Sequence, residues 1–444
     1  MGENVTANRT VAELGLAEAF ASVGSKLPGD SGVRAKREDA FARFGTEGLP
    51  HRRVEAWRYT DLKSLLREAR PLAAPPSAEA KTAAWNAESI FAGIGARRIV
   101  IVDGSVVPEL SDLDGLETGL SIATMAKALA DGDPLVAGYL GTVAPVEDAA
   151  VELNTAFMGD GVVIHVEEGA RIERPIHLAF VATGAVPASA FVRSLVVVEN
   201  GAALTLIESH QALDDAEYQP NIGLELVIGD GARVDHVKCL QEERTSLHLA
   251  SLMASLGAHA TFNHFALTTG GAVVRNQLFL EMKGEGSSTD IRGASLLRGN
   301  QHADTTLVAN HIAPGCVARE VFKSVLADES RGIFQGKISV APDAQKTDAK
   351  MMAQALLLSE TAEFDSKPEL EIFADDVQCG HGTTAGALDE DLRFYLMARG
   401  IAADDAESLL IQAFAGETLE NIAHEGLKTL LMDAVADWLQ AGDE

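Results

Sequence analysis

Cysteine is scarce in this chain. Only Cys239, Cys316 and Cys379 occur among 444 residues, too few for a disulfide framework, so all three are expected to be free thiols. Aromatic residues make up 5% of the sequence and form no cluster along one face. That speaks against a carbohydrate-cleaving β-helix, which needs stacked acidic, basic and aromatic side chains. Positive charge is short as well: 36 Lys and Arg stand against 65 Asp and Glu, a formal net charge of −29. Nucleic acid is therefore an improbable partner, since phosphate binding needs a basic surface. No long apolar run is present; the longest stretch without formal charge, Pro175 to Val192, carries Gly184 and Pro187 and makes a poor membrane span. Neither a G-x-x-x-x-G-K-[ST] phosphate loop nor a G-x-S-x-G elbow is found, so nucleotide hydrolysis and serine-hydrolase chemistry are not expected. The opening, MGENVTANRT, is polar and reads as no secretory leader; Met1-Gly2 with Thr6 matches a myristoylation signal only loosely. A cytoplasmic protein is expected.

What is present falls into three textures. Residues 1–95 read as a helical domain. Thr10-Val11-Ala12-Glu13 is a capping box, Arg34–Phe44 and Asp61–Glu68 continue in helical style, and Pro71–Ser77 is a Pro-rich linker. Within it, Trp57, Arg58 and Tyr59 form an aromatic–basic cluster whose simplest role is core packing.

Residues 96–388 read as strands. Arg98–Val102, Asp103-Gly104 and Val106-Val107 signal a lead-in hairpin, with short helices near Ala123–Leu129 and Val146–Phe157. From Gly161 a unit recurs: apolar strand, glycine turn, alternating strand. The turns fall at Gly169, Gly201, Gly231, Gly257 and Gly286, with a spacing of roughly 26 to 32 residues, in the range of solenoid repeats. The units are too short to hold a helix between strands. A sandwich or barrel would also give regular strands, but the recurring turn favours a β-helix, whose ends need capping or pairing.

Residues 389–444 return to helix. Asp389 caps a helix bearing Leu392, Tyr395 and Leu396, closed by Gly400. Asp404 is expected to cap the next, with a stripe of Ala406, Leu409, Leu410, Ala413 and Phe414. The last helix places Leu427, Leu430, Leu431, Ala434 and Trp438 on one face. Such stripes ordinarily pack on their own domain, and a partner groove is the second reading.

The chemistry-bearing candidate is Cys379-Gly380-His381-Gly382. Thiol and imidazole suit iron and zinc, and the glycines leave the pair accessible. Two ligands cannot close a metal site alone, so the pair reads as half a site that another chain completes. The simpler alternative is a buried thiol beside a turn histidine. Cys316, after a Pro-Gly turn, is a second candidate accessible thiol, whereas Cys239 reads as core. His259, His264, His302 and His311 show no i, i+4 metal spacing, and Asp375-Asp376 is uninformative in so acidic a chain.

The run from Asp328 to Ile401, including KPELEIFADDVQCGHGTT and FYLMARGI, together with RRVEAWRYTDL near the N-terminus, resembles the SufD family of the bacterial SUF iron–sulfur assembly system. The resemblance implies a right-handed parallel β-helix between helical terminal domains. It also implies a non-enzymatic scaffold that pairs with a SufB-like paralogue through the β-helices and docks the SufC ABC-type ATPase on the C-terminal helices, here near Leu409, Leu410 and Phe414. Cys379 and His381 match the family's interface cysteine and histidine, implying transient ligands to iron or a nascent iron–sulfur cluster. Cys316 matches a further cysteine position, and Gly380 departs from the serine of some relatives. Open strand edges make a homodimer expected when the chain is isolated. The alternative is an architectural subunit whose partner supplies every ligand.

Overall fold

The computed structural model describes residues 9–143, 147–184, 186–213, 217–242 and 244–441. Thr6 and Val146 lie outside the described residues. The architecture is mainly β: a parallel β-solenoid with helices on either side of it in the chain. From Val162 onward successive strands are dealt alternately to two sheets of nine and ten strands. Parallel pairing is in register, so like positions stack strand over strand. On the nine-stranded sheet, Val196, Leu226, Ala254, Leu280, Ala309, Ile338 and Leu370 follow one another in a single inward ladder. All but Leu370 are buried, and all of those but Ala309 belong to the central core. Each large aliphatic side chain so buried contributes about 1.5–3 kcal/mol.

The turns explain the repeat. Gly169, Gly201, Gly231, Gly286 and Gly315 all adopt positive φ, a conformation glycine adopts without steric cost. Each donates its N–H to the carbonyl of a residue in the next turn, as Gly201 does to Asp230 (2.8 Å) and Gly231 to Ala258 (2.7 Å). Gly257 departs from the sequence expectation. The left-handed position in that turn belongs to His259 (φ 55°), which donates to Glu285 at 2.8 Å; Lys346 (φ 64°) plays the same part later.

The end of the solenoid nearest the N-terminus is closed. Arg97–Val102 forms an antiparallel hairpin with Ser105–Val106 around Asp103 and Gly104, both at positive φ, and Leu120–Thr124 pairs antiparallel with Val162–Val166. The N-terminal capping box is present on Val11–Val23. Asp61–Glu68 yields only a single turn, Leu62–Leu65. The Pro71–Ser77 stretch is tied down rather than loose: Leu72 bridges Ser189, and the Ser189 N–H donates to Pro71.

Trp57 fastens the helical segment to the outside of the nine-stranded sheet. Its buried indole lies under the Arg275 guanidinium at 3.9 Å, and Nε1 donates to Asp148 at 3.0 Å. Arg275 pairs with Asp304, its register neighbour, and donates to the Ala56 carbonyl at 2.7 Å. Thr60 donates to Asp304 at 2.5 Å.

The C-terminal helices Ala403–Gly416 and Glu425–Gln440 cover the outer face of the ten-stranded sheet. There Ile411, Ala415, Leu427, Leu431 and Ala434 pack with Ile207, Val237 and Phe265. Asp404 sits inside the first turn of its helix, and Ala402 is the N-cap. Of the expected stripe, Ala406 is buried, while Ala413 is exposed. No helix among the described residues is long and apolar enough to cross a membrane.

Replacing Trp57 with Ala removes a buried indole and its cation–π contact, and should cost about 3–5 kcal/mol. Thermal or urea unfolding of the variant measures the loss; an unchanged midpoint would mean that the clamp contributes nothing.

Candidate functional site

Among the described residues, no strand closes the solenoid's far end. Glu363–Ile372 ends the nine-stranded sheet and Gln378–Gly386 ends the ten-stranded one, each paired on one side only. Every residue of both strands is half-buried or exposed. In-register stacking determines which side chains face the interior. Ala349 and Met351 point into the core, and they pair with Cys379 and His381 respectively. Cys379 and His381 therefore lie on the inward side of a strand that no further strand covers. Cys379 is half-buried against the core and His381 is exposed. An inward residue accessible to a neighbour exists only on such a terminal strand.

Below His381 runs one interior column: Leu206, His236, His264, Ile291, Glu320, Met351 and His381, each the register partner of the next. Glu320 is fully buried, and neither carboxylate oxygen has a hydrogen-bond partner. Burial pushes its carboxyl up to about 8. The Cys379 thiol is also pushed up, first by burial, with Asp348 and Glu320 adding to it and the Ala349 backbone opposing. In the isolated chain this group favours the protonated thiol; a bound cation would displace the proton.

The other candidates separate. Cys239 is core, its thiol pushed up to about 12 by burial. Cys316 is not accessible: it is fully buried, 3.3 Å from Ser287 Oγ and 3.2 Å from the Ala313 carbonyl. Its Pro-Gly turn is stacked under neighbouring turns, not exposed. His264 faces His236 across 2.9 Å inside the rod, and burial lowers both to about 3. His302 binds Thr60 at 2.9 Å, and His311 is buried. On the C-terminal helices Leu409 is exposed, Leu410 is half-buried, and Phe414 lies under the Lys323 ammonium at 4.4 Å. Helix Glu390–Met397 buries nothing and exposes Leu392, Phe394, Tyr395 and Met397. Of Leu392, Tyr395 and Leu396, expected on this helix, only Leu396 is half-buried.

Residues 180–414 match the SufBD core domain of the SUF system for FeS cluster assembly, and residues 29–178 match the SufBD N-terminal region. The chain belongs to the SufBD family. It is 32% identical to an iron–sulfur cluster assembly SufBD family protein of Synechocystis, over 92% of this chain and 91% of that one. It is 31% identical to the iron–sulfur cluster assembly protein SufD of Escherichia coli, over 89% and 90%. The SufD of Bacillus subtilis is 26% identical over 65% and 66%.

Because Glu320 keeps a proton in the folded chain that the unfolded chain releases above its ordinary value of 4.5, stability should fall as pH rises from about 4.5 to about 8 and stay reduced above that. The loss at pH 7 is on the order of 3 kcal/mol. Glu320→Gln should flatten this dependence and be the more stable form at pH 8. Urea unfolding of both forms at pH 5 and pH 8 decides it; parallel losses in the two would refute the buried-acid assignment.

Proposed function

We propose that this chain is a non-catalytic scaffold subunit of an iron–sulfur assembly complex, and that its open solenoid end is where it meets a second β-helix. The observation that carries the reading is the placement of Cys379 and His381 on the uncovered inward side of the last strand. A partner strand added to Gln378–Gly386 would extend the ten-stranded sheet and bring its own inward residues beside them. The partner of closest chemistry is a SufB-like paralogue; a second copy of this chain is the substitute when it is isolated.

Iron or a nascent cluster is the cargo. Thiolate and imidazole supply two ligands and the partner the others, a mixed set that holds the cluster less tightly than four thiolates and so leaves it transferable. The C-terminal helices are the proposed dock for a SufC-type ATPase, with Leu409 outermost, Leu410 beside it and Phe414 fixing the helix to the rod. Nucleotide-driven movement of that ATPase would then open or close the interface.

Two variants test the reading. His381→Ala should leave the complex assembled and lower its cluster content severalfold, measured by iron and sulfide analysis of the purified complex. Unchanged content would remove the ligand role and favour an architectural subunit. Thr383→Pro deletes an N–H on the outer edge of the last strand, where proline is tolerated by the strand itself. The rod should remain folded by circular dichroism while partner pairing is lost; normal pairing would place the interface elsewhere.

A further inference from the structure

A second ligand set lies inside the rod, far from the open end. His210 is on strand Ala203–Ala212, Glu242 directly follows strand Arg233–Gln241, and His248 is on strand Leu247–Leu256. All three side chains are buried, at 1%, 5% and 0% exposure. One ligand-capable atom from each lies within 4.8 Å of the others. His210 Nε2, Glu242 Oε2 and His248 Nε2 have no hydrogen-bond partner. Leaving a buried carboxylate oxygen and two imidazole nitrogens unpaired is costly, and three such residues meeting in the interior need a reason.

The surroundings hold the rings in place. His248 Nδ1 is 3.0 Å from Glu242 Oε1, a separation that two ligands of one ion can share. The His210 ring stacks on Phe180 at 4.3 Å and meets the His248 ring edge-on at 4.9 Å. Burial pushes both imidazoles below their ordinary value. Glu208 Oε2 stands 3.5 Å from His210 Nε2, within reach as a fourth ligand. Lys238, also inside, is engaged by Asn276 at 2.9 Å. Glu208 and Glu242 thus face a single buried ammonium.

We propose that His210, Glu242 and His248 form a structural site for one first-row divalent transition-metal ion. Two imidazoles and a carboxylate suit zinc or ferrous iron rather than magnesium or calcium. The site is about six strand spacings from the last strand, roughly 29 Å, and stands independently of the interface reading. Its enclosed position means that the ion is taken up as the rod winds.

The test uses the full chain carrying Cys379→Ser and His381→Ala, so that the open end contributes no ligand. The protein is unfolded with chelator, then refolded with or without Co²⁺. One cobalt per chain, a visible d–d band and a raised unfolding midpoint are expected. His210→Gln and His248→Gln, each added to that background, should weaken Co²⁺ binding at least tenfold. Absence of stoichiometric cobalt in the background protein would overturn the proposal whether or not the glutamine variants fold. So would cobalt binding undiminished in both of them. Cobalt bound by the native chain but lost in the background would assign it to the open end and likewise overturn the inner site.

Discussion

In-register stacking of strands is the constraint on which the rest of this molecule depends. Each inward side chain is covered by the equivalent residue one strand before and one strand after. Any strand with two neighbours therefore buries its inner face without special provision. A terminal strand has one neighbour, and its inner face stays open unless something is built over it. At the N-terminal end the chain builds antiparallel strands; after Gln378–Gly386 it turns away into helix. The same rule that encloses His264 exposes His381, two strand positions beyond Glu320 in a single column.

The two sheets divide the interior unequally. The nine-stranded sheet lines it with an aliphatic ladder, and that ladder carries much of the burial energy. The ten-stranded sheet contributes His210, His236, Lys238, His264 and Glu320, groups that cost stability when buried. The ten-stranded sheet carries most of the interior ionisable groups from the middle of the rod to its open end, and His248 joins them from the nine-stranded sheet. A uniformly apolar interior would be the more stable arrangement, so these groups mark where chemistry is to be sought.

The period of the fold was legible because left-handed turns select glycine, and Gly169, Gly201, Gly231 and Gly286 announce them. Gly257 misled because the turn needs one positive φ, and histidine also tolerates that conformation; His259 took the position. Cys316 misled for a related reason. A Pro-Gly pair signals a turn, but solenoid turns stack on one another, and an inner turn residue is buried. Cys379 and His381 could be picked out because they are close in sequence. His210, Glu242 and His248 could not: they meet only once the winding brings separate strands side by side. The helix stripes were partly readable. Leu427, Leu431 and Ala434 pack as their spacing suggests, whereas Leu409 and Ala413 face outward because the sheet beneath touches the helix along Ile411 and Ala415.

Stacking alone leaves one ambiguity, and the N-terminal clamp removes it. A parallel strand that slips by one residue turns its apolar side outward, which burial forbids. A slip by two keeps the inward pattern and is opposed far less by the core. On the outer face the positions are not equivalent. Arg275 must meet Asp304 directly across, with the Trp57 indole beneath it and Thr60 on the same carboxylate; a slip by two would strand a buried guanidinium and a buried carboxylate apart. Breaking such a pair costs about 3–5 kcal/mol, whereas forming it contributes little over an apolar substitute. Its value is in choosing the register. Each later strand takes its register from the one before, so the position of Cys379 and His381 on the last strand depends in part on a contact made by the first hundred residues of the chain.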